Sequence, residues 1–116
     1  MVYKNKQSEI KDFVALELIS GRKKYGDPFF EKKFFTSKFK VNPSYVRDVF
    51  DDLEKEGIIQ KQGESYIFSA DENRVLWLKD EFLHSYINDF TENLNKIGVS
   101  MDEVIEILRQ RNIANG

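Results

Sequence analysis

Residues 42–59 place the tightest local constraint on what this 116-residue chain can fold into. Asn42-Pro43 is a helix start. An asparagine side chain caps the first free N–H groups, and a proline at the first helical position has no N–H to lose. Val46, Val49, Phe50 and Leu53 follow at helical spacing, which predicts one buried face. Gly57 stops the helix, and Ile58-Ile59 opens a strand that turns near Gln62-Gly63-Glu64-Ser65. Ser44, Tyr45 and Arg47 are left near the exposed N-terminal end, the end that a helix presents to a DNA major groove.

Two further helices precede this one. Ile10, Phe13, Val14, Leu16, Leu18 and Ile19 give the first a wide apolar face ending at Gly21. Tyr25-Gly26-Asp27-Pro28 reads as a turn, with Asp27 capping a second helix and Pro28 as its first residue. Phe30, Phe34, Phe35 and Phe39 would form its buried side, with Lys32, Lys33 and Lys38 outside. Lys40-Val41 is the short turn into the groove-reading helix. Three helices and a two-stranded wing make a winged helix-turn-helix unit, complete by Phe68 and assigned to residues 1–70.

Residues 71–116 form a helical tail. Ser69-Ala70-Asp71-Glu72-Asn73 is the linker and contains the cap of a long fourth helix. Val75, Leu78, Phe82, Tyr86, Phe90 and Ile97 make one apolar stripe; Leu76, Leu83, Ile87 and Leu94 make a second beside it. A helix apolar over so much of its circumference needs more than one surface to bury it. A winged unit of ~70 residues covers one side, so a second subunit is the economical partner. Gly98 ends this helix, and Ser100-Met101-Asp102-Glu103 is a capping box for a fifth, with Val104, Ile105, Ile107 and Leu108 as its stripe. The expected fold is mainly α with a small β-hairpin wing: a winged helix-turn-helix domain followed by a two-helix dimerisation hairpin. The dimerisation set is Leu76, Phe82, Leu83, Tyr86, Ile87, Phe90, Leu94, Ile105 and Leu108.

Composition agrees with this architecture. A hydrophobic share of 41% with ten phenylalanines supports a core of large rings and excludes a disordered chain. Absence of cysteine excludes disulfides and thiolate-held metals. Met1–Lys6 lacks the apolar run of a signal peptide, and no apolar stretch approaches the ~18 residues of a membrane span, so a cytoplasmic, nucleoid-associated protein is expected. The net charge of −2 hides an asymmetry. Between Arg22 and Arg47, eight basic residues face only Asp27 and Glu31, a local excess of six positive charges suited to phosphate contacts.

The order and spacing of these segments resemble the GntR family of bacterial transcription regulators, and the short tail resembles its YtrA-type subfamily. Ile19-Ser20-Gly21 and Gly26-Asp27 look like the end of the family's first helix and its turn. Phe29 to Thr36 takes the place of its Leu-Pro-Ser-x-Arg-x-Leu-Ala segment, Val41 to Arg47 resembles the start of its recognition helix, and Glu54 to Ile59 its approach to the wing. The resemblance implies that Arg47 corresponds to an arginine used on DNA; Arg is also the usual bidentate partner of guanine. Phe30-Glu31 replaces the family's Pro-Ser, and Lys33 its Arg, which removes a bidentate fork. Glu64 puts an acid at the wing tip and Ser65 replaces a glycine, leaving Lys61 as the plausible wing contact.

The DNA-binding set is therefore Lys32, Lys33, Lys38, Asn42, Ser44, Tyr45, Arg47, Lys61 and Gly63, with Asn42 a cap first and a phosphate contact second. His84, near Asp80 and Asp89, is a helix-surface or interface histidine before it is a metal ligand. Trp77, Phe82 and Tyr86 could line an effector pocket, although aromatics at helical spacing usually serve core or interface. No metal or cofactor is expected. A single histidine, no cysteine and no glycine-rich phosphate loop argue against an enzyme. The expected function is a homodimeric repressor on a palindromic double-stranded operator, controlling a local operon such as transporter genes, with an unidentified small-molecule effector. The alternative is a winged-helix interaction adaptor that has lost specific DNA binding.

Overall fold

The computed structural model describes residues 5–115; Met1–Lys4, most of the segment searched for a signal peptide, lies outside the described residues. The element order is α1 (Lys6–Ile19), α2 (Lys32–Phe39), α3 (Pro43–Lys55), β1 (Ile59–Gln62), β2 (Ser65–Phe68), α4 (Glu72–Lys96) and α5 (Met101–Asn115). Two compact units result, Met1–Lys79 and Asp80–Gly116.

In the first unit, α1 starts where the Asn5 side chain accepts the Ser8 N–H at 2.8 Å. Its Ile10, Val14 and Leu18 are buried against Val46, Val49, Phe50 and Leu53 of α3, so the stripe predicted on α3 is the buried one. β1 and β2 pair antiparallel from Ile59↔Phe68 to Gln62↔Ser65, joined by Gly63-Glu64. Gly63 takes φ 68°, a left-handed conformation that glycine adopts without a Cβ penalty. Ile59 and Phe68, paired at the hairpin's base, enter the core, while its tip stays exposed.

The expected start of the second helix is wrong. Asp27 and Pro28 do not cap or open α2, which begins only at Lys32 after Glu31. Residues 26–29 instead lie along β2: Phe29 N–H donates to the Tyr66 carbonyl and Phe68 N–H to that of Asp27, both at 2.9 Å, and Pro28 bridges Ile67. The Asp27 carboxylate accepts the Lys24 N–H at 2.8 Å, closing a turn. The cause is Phe29. Its ring meets Phe50 and Phe68 edge-on at 5.1 and 5.0 Å and stacks on Phe35 at 5.7 Å, in the middle of the core. Extended backbone delivers it there. Of the four rings expected inside α2's buried side, only Phe35 is fully buried; Phe30 and Phe39 are half-buried and Phe34 reaches the surface.

One polar clamp joins α1 to the end of α3. Lys11 Nζ lies 3.0 Å from Glu56 and 3.5 Å from Asp52, and Gln7 Nε2 donates to Asp52 at 2.6 Å. Partial burial opposes the charge on Lys11, but the two carboxylates outweigh it and raise the ammonium pKa above its ordinary 10.5.

α4 starts with Asp71 accepting the Arg74 N–H at 2.8 Å. Val75 and Leu78, in its first turns, pack against the core of the first unit. In the second unit, Gly98 turns the chain at φ 69° and Ser100 Oγ accepts the Glu103 N–H at 3.2 Å, half of the expected capping box. The apolar side chains here are largely uncovered. Leu83 is 53% exposed, Phe90 45% and Leu108 52%, and among the described side chains of α5 only Val104 is partly buried.

Candidate nucleic-acid interface

α3 is the best-built element for reading DNA. Asn42 caps it, its Oδ1 accepting the Tyr45 N–H at 2.9 Å and the Ser44 hydroxyl at 2.6 Å. This leaves the Asn42 amide nitrogen, and the exposed Ser44 beside it, at the helix's positive end. Arg47 lies one turn further on, exposed and without an ion pair among the described residues, although Asp48 and Asp51 are its helical neighbours. Tyr45 differs from its neighbours. It is half-buried and packs against the core, so its ring anchors the helix start and only part of it faces outward.

The lysines of α2 divide between two places. Lys32 Nζ lies 5.7 Å from the Phe50 ring of α3, and Lys32 and Lys33 line a groove of about 550 Å³ with Phe29, Glu31, Glu64 and Tyr66. Lys38 lies instead over Phe13 of α1, at 5.1 Å, and over Phe39 at 5.9 Å. It belongs to the α1–α2 surface. Lys61 and Gly63 are exposed on the wing, next to Glu64. The structure thus brings Lys32, Lys33 and the wing tip around one groove and sets Lys38 elsewhere.

The basic cluster read from the sequence is smaller in three dimensions. Arg22 Nε is held by Glu17 at 3.0 Å, and Lys23 lies over the Phe30 ring at 5.2 Å. Lys40, counted in the basic run but not in the DNA-binding set, is exposed in the turn between α2 and α3 at φ 58°. A lone lysine between an aromatic and a helix start was the available signal. Asp48 and Asp51, the acids that the sequence offers Arg47 as ion-pair partners, make no such pair among the described residues.

The remaining candidates are placed as follows. His84 Nδ1 lies 3.7 Å from Asp80 on an exposed helix surface. Among the described residues no group of three His, Cys, Asp or Glu could hold a metal ion, and no helix is long and apolar enough to cross a membrane. Trp77 carries Arg74 over its ring at 5.2 Å and lines an open cavity of about 430 Å³ with Gly57, Ser69, Asp71 and Asn73. Phe82 and Tyr86 pair with each other at 5.8 Å.

Helix-turn-helix, adjoining extended segment and two-stranded wing define a winged-helix unit followed by two tail helices. No protein-family model and no curated protein matches the sequence. Solved structures that share the fold include proteins described as GntR-family regulators. The "GntR family transcriptional regulator from Listeria monocytogenes" superposes with a TM-score of 0.75 over 95% of this chain and 97% of that one, at 20% identity. "YtrA from Sulfolobus acidocaldarius, a GntR-family transcription factor", gives 0.54 over 99% and 95%, also at 20% identity. BusR of S. agalactiae in complex with its busAB-promotor DNA gives 0.53 over 97% of this chain and 57% of that one, at 20% identity. The winged-helix fold and the tail are therefore common to this chain and to those regulators.

Proposed function

We propose that this chain is a sequence-specific DNA-binding transcription regulator of the YtrA-type GntR kind, acting as a homodimeric repressor. The observation that carries the reading is the outward N-terminal end of α3, where Ser44 and Arg47, the latter unpaired among the described residues, stand on a helix locked to the core by four buried side chains. A rigid helix positions such groups without further ordering cost. The first 70 residues would bind DNA and residues 71–116 would dimerise. Leu76, Phe82, Leu83, Tyr86, Ile87, Phe90, Leu94, Ile105 and Leu108 would supply the apolar contacts with the second subunit; all but Phe82 and Leu94 are exposed in the single chain. Two-fold symmetry then implies a palindromic operator with one α3 in each half-site. Lys32, Lys33 and Lys40 supply phosphate contacts beside α3, and the promoter-bound BusR structure supports DNA as the ligand of this fold. A local operon, such as transporter genes, is the regulated target, and an effector would act through the tail.

The test is in vitro selection from a random duplex library with the full-length chain at physiological salt. A palindromic consensus, lost with Arg47→Ala, is the expected result. Failure of a folded dimer to enrich any sequence, with or without added cell extract, would refute the reading. Glu64 at the exposed wing tip favours a second reading, an interaction adaptor, because an acid there repels phosphate. Duplex binding that weakens steeply with salt would eliminate it.

A further inference from the structure

Four acids of α3 and its C-cap sort into two groups, with Glu54 exposed near the helix's C-terminal end. Asp52 and Glu56 face α1 and are satisfied by Gln7 and Lys11. Asp48 and Asp51 are exposed, and neither side chain has a partner among the described residues. With 3.6 residues per turn, Asp48 stands one turn above Ser44, and Asp51 one turn above Arg47. The two acids thus share the outward face with the two groups placed to meet base edges. The opposite face, with Val46, Val49, Phe50 and Leu53, is buried.

A carboxylate carried into a major groove is surrounded by phosphates and by acceptor atoms that repel it. Guanine O6 and N7, adenine N7 and thymine O4 are all acceptors. The only donors on that surface are the exocyclic amino groups, cytosine N4 and adenine N6. Asp48, in the second turn from the inserted end, is tolerated only where it meets one of them. Resting on the DNA-reading function above, we propose that Asp48 is a specificity-determining residue that accepts a hydrogen bond from an exocyclic base amino group. It reads a base next to the one read by Arg47, and it rejects bases that offer only acceptors. Arg47 and Asp48 adjoin in sequence and leave the helix about 100° apart, so they address neighbouring positions. A guanine for Arg47 beside a cytosine or adenine for Asp48 is the half-site they suit.

The experiment is the same duplex selection, run with full-length wild-type chain, Asp48→Ala and Asp48→Asn. Asp48 has no partner among the described residues, so the thermal midpoints of all three are expected to agree. Wild type should restrict one position per half-site to cytosine or adenine, and the recovered base decides between the two amino groups. Asp48→Ala should accept any base there while keeping the Arg47 position. It should bind the wild-type consensus about 5- to 150-fold more weakly, the range of one lost base contact, and bind unrelated duplex more tightly because a repelling charge is gone. Asp48→Asn should favour adenine, whose N6 and N7 an amide pairs with in bidentate fashion. An unchanged base preference in Asp48→Ala, even with tighter binding overall, would overturn the proposal and leave the DNA-reading function standing. No enrichment by wild type would overturn both.

Discussion

Asn42 joins the stability of α3 to its proposed function, and two substitutions separate them. Its side-chain oxygen accepts the Tyr45 N–H at 2.9 Å and the Ser44 hydroxyl at 2.6 Å. Asn42→Ala frees a helix N–H and removes the acceptor that orients Ser44. The loss of a cap costs about 1 kcal/mol, within a range of roughly 0.5–2. In a unit of this size that lowers the unfolding midpoint by about 4–8 °C. Asn42→Asp retains the acceptor and adds a negative charge at the helix's positive end, worth about 0.3–1 kcal/mol in the stabilising direction. The same charge stands where a phosphate is expected, so Asn42→Asp should bind duplex more weakly than wild type while unfolding no earlier. Urea unfolding followed by circular dichroism gives the first quantity, and fluorescence anisotropy on the selected duplex the second. An Asn42→Ala variant within about 0.3 kcal/mol of wild type, below the bottom of the capping range, would refute the capping argument. Asn42→Asp binding DNA as tightly as wild type would remove the phosphate contact.

Arg47→Ala should lower specific affinity by about 1–3 kcal/mol without moving the unfolding midpoint, because Arg47 holds no partner among the described residues; titration against specific and scrambled duplexes checks it. Lys11→Met should cost up to about 1 kcal/mol at neutral pH, as expected for a partly exposed ion pair. The folded ammonium pKa is raised, so this stabilisation is complete below 10.5 and is lost as pH rises through the raised value. Midpoints of wild type and Lys11→Met measured from pH 7 to 11 should converge at the alkaline end, and a constant gap would sink the assignment. Leu83→Glu with Phe90→Glu, both half-exposed in the single chain, should shift a sedimenting dimer to monomer; a persistent dimer would place the interface elsewhere.

Much of the fold was legible because its signals are local. Asn42-Pro43 and Gly57 mark both ends of α3, and the spacing of Val46, Val49, Phe50 and Leu53 names its buried face without reference to any other segment. The hairpin is equally local, since Gly63 permits the turn and strand register follows from the turn's length. The uncovered stripes of α4 and α5 were readable as well, since an apolar circumference is a property of sequence alone.

Asp27-Pro28 shows where that ends. The pair has the chemistry of a helix cap, as Asn42-Pro43 does, yet it becomes an edge segment on β2. What separates the two cases is Phe29, which reaches Phe50 and Phe68 only from extended backbone. The same holds for the charges. Lys38 lies over Phe13, Arg22 is taken by Glu17, and Lys11 claims Asp52 and Glu56 but leaves Asp48 and Asp51 without a partner among the described residues. Helix spacing alone determined which residues of α3 point outward. Which of its acids remain available to a base was decided by the packing of α1 against it, because a carboxylate's partner is chosen by distance in space and not along the chain.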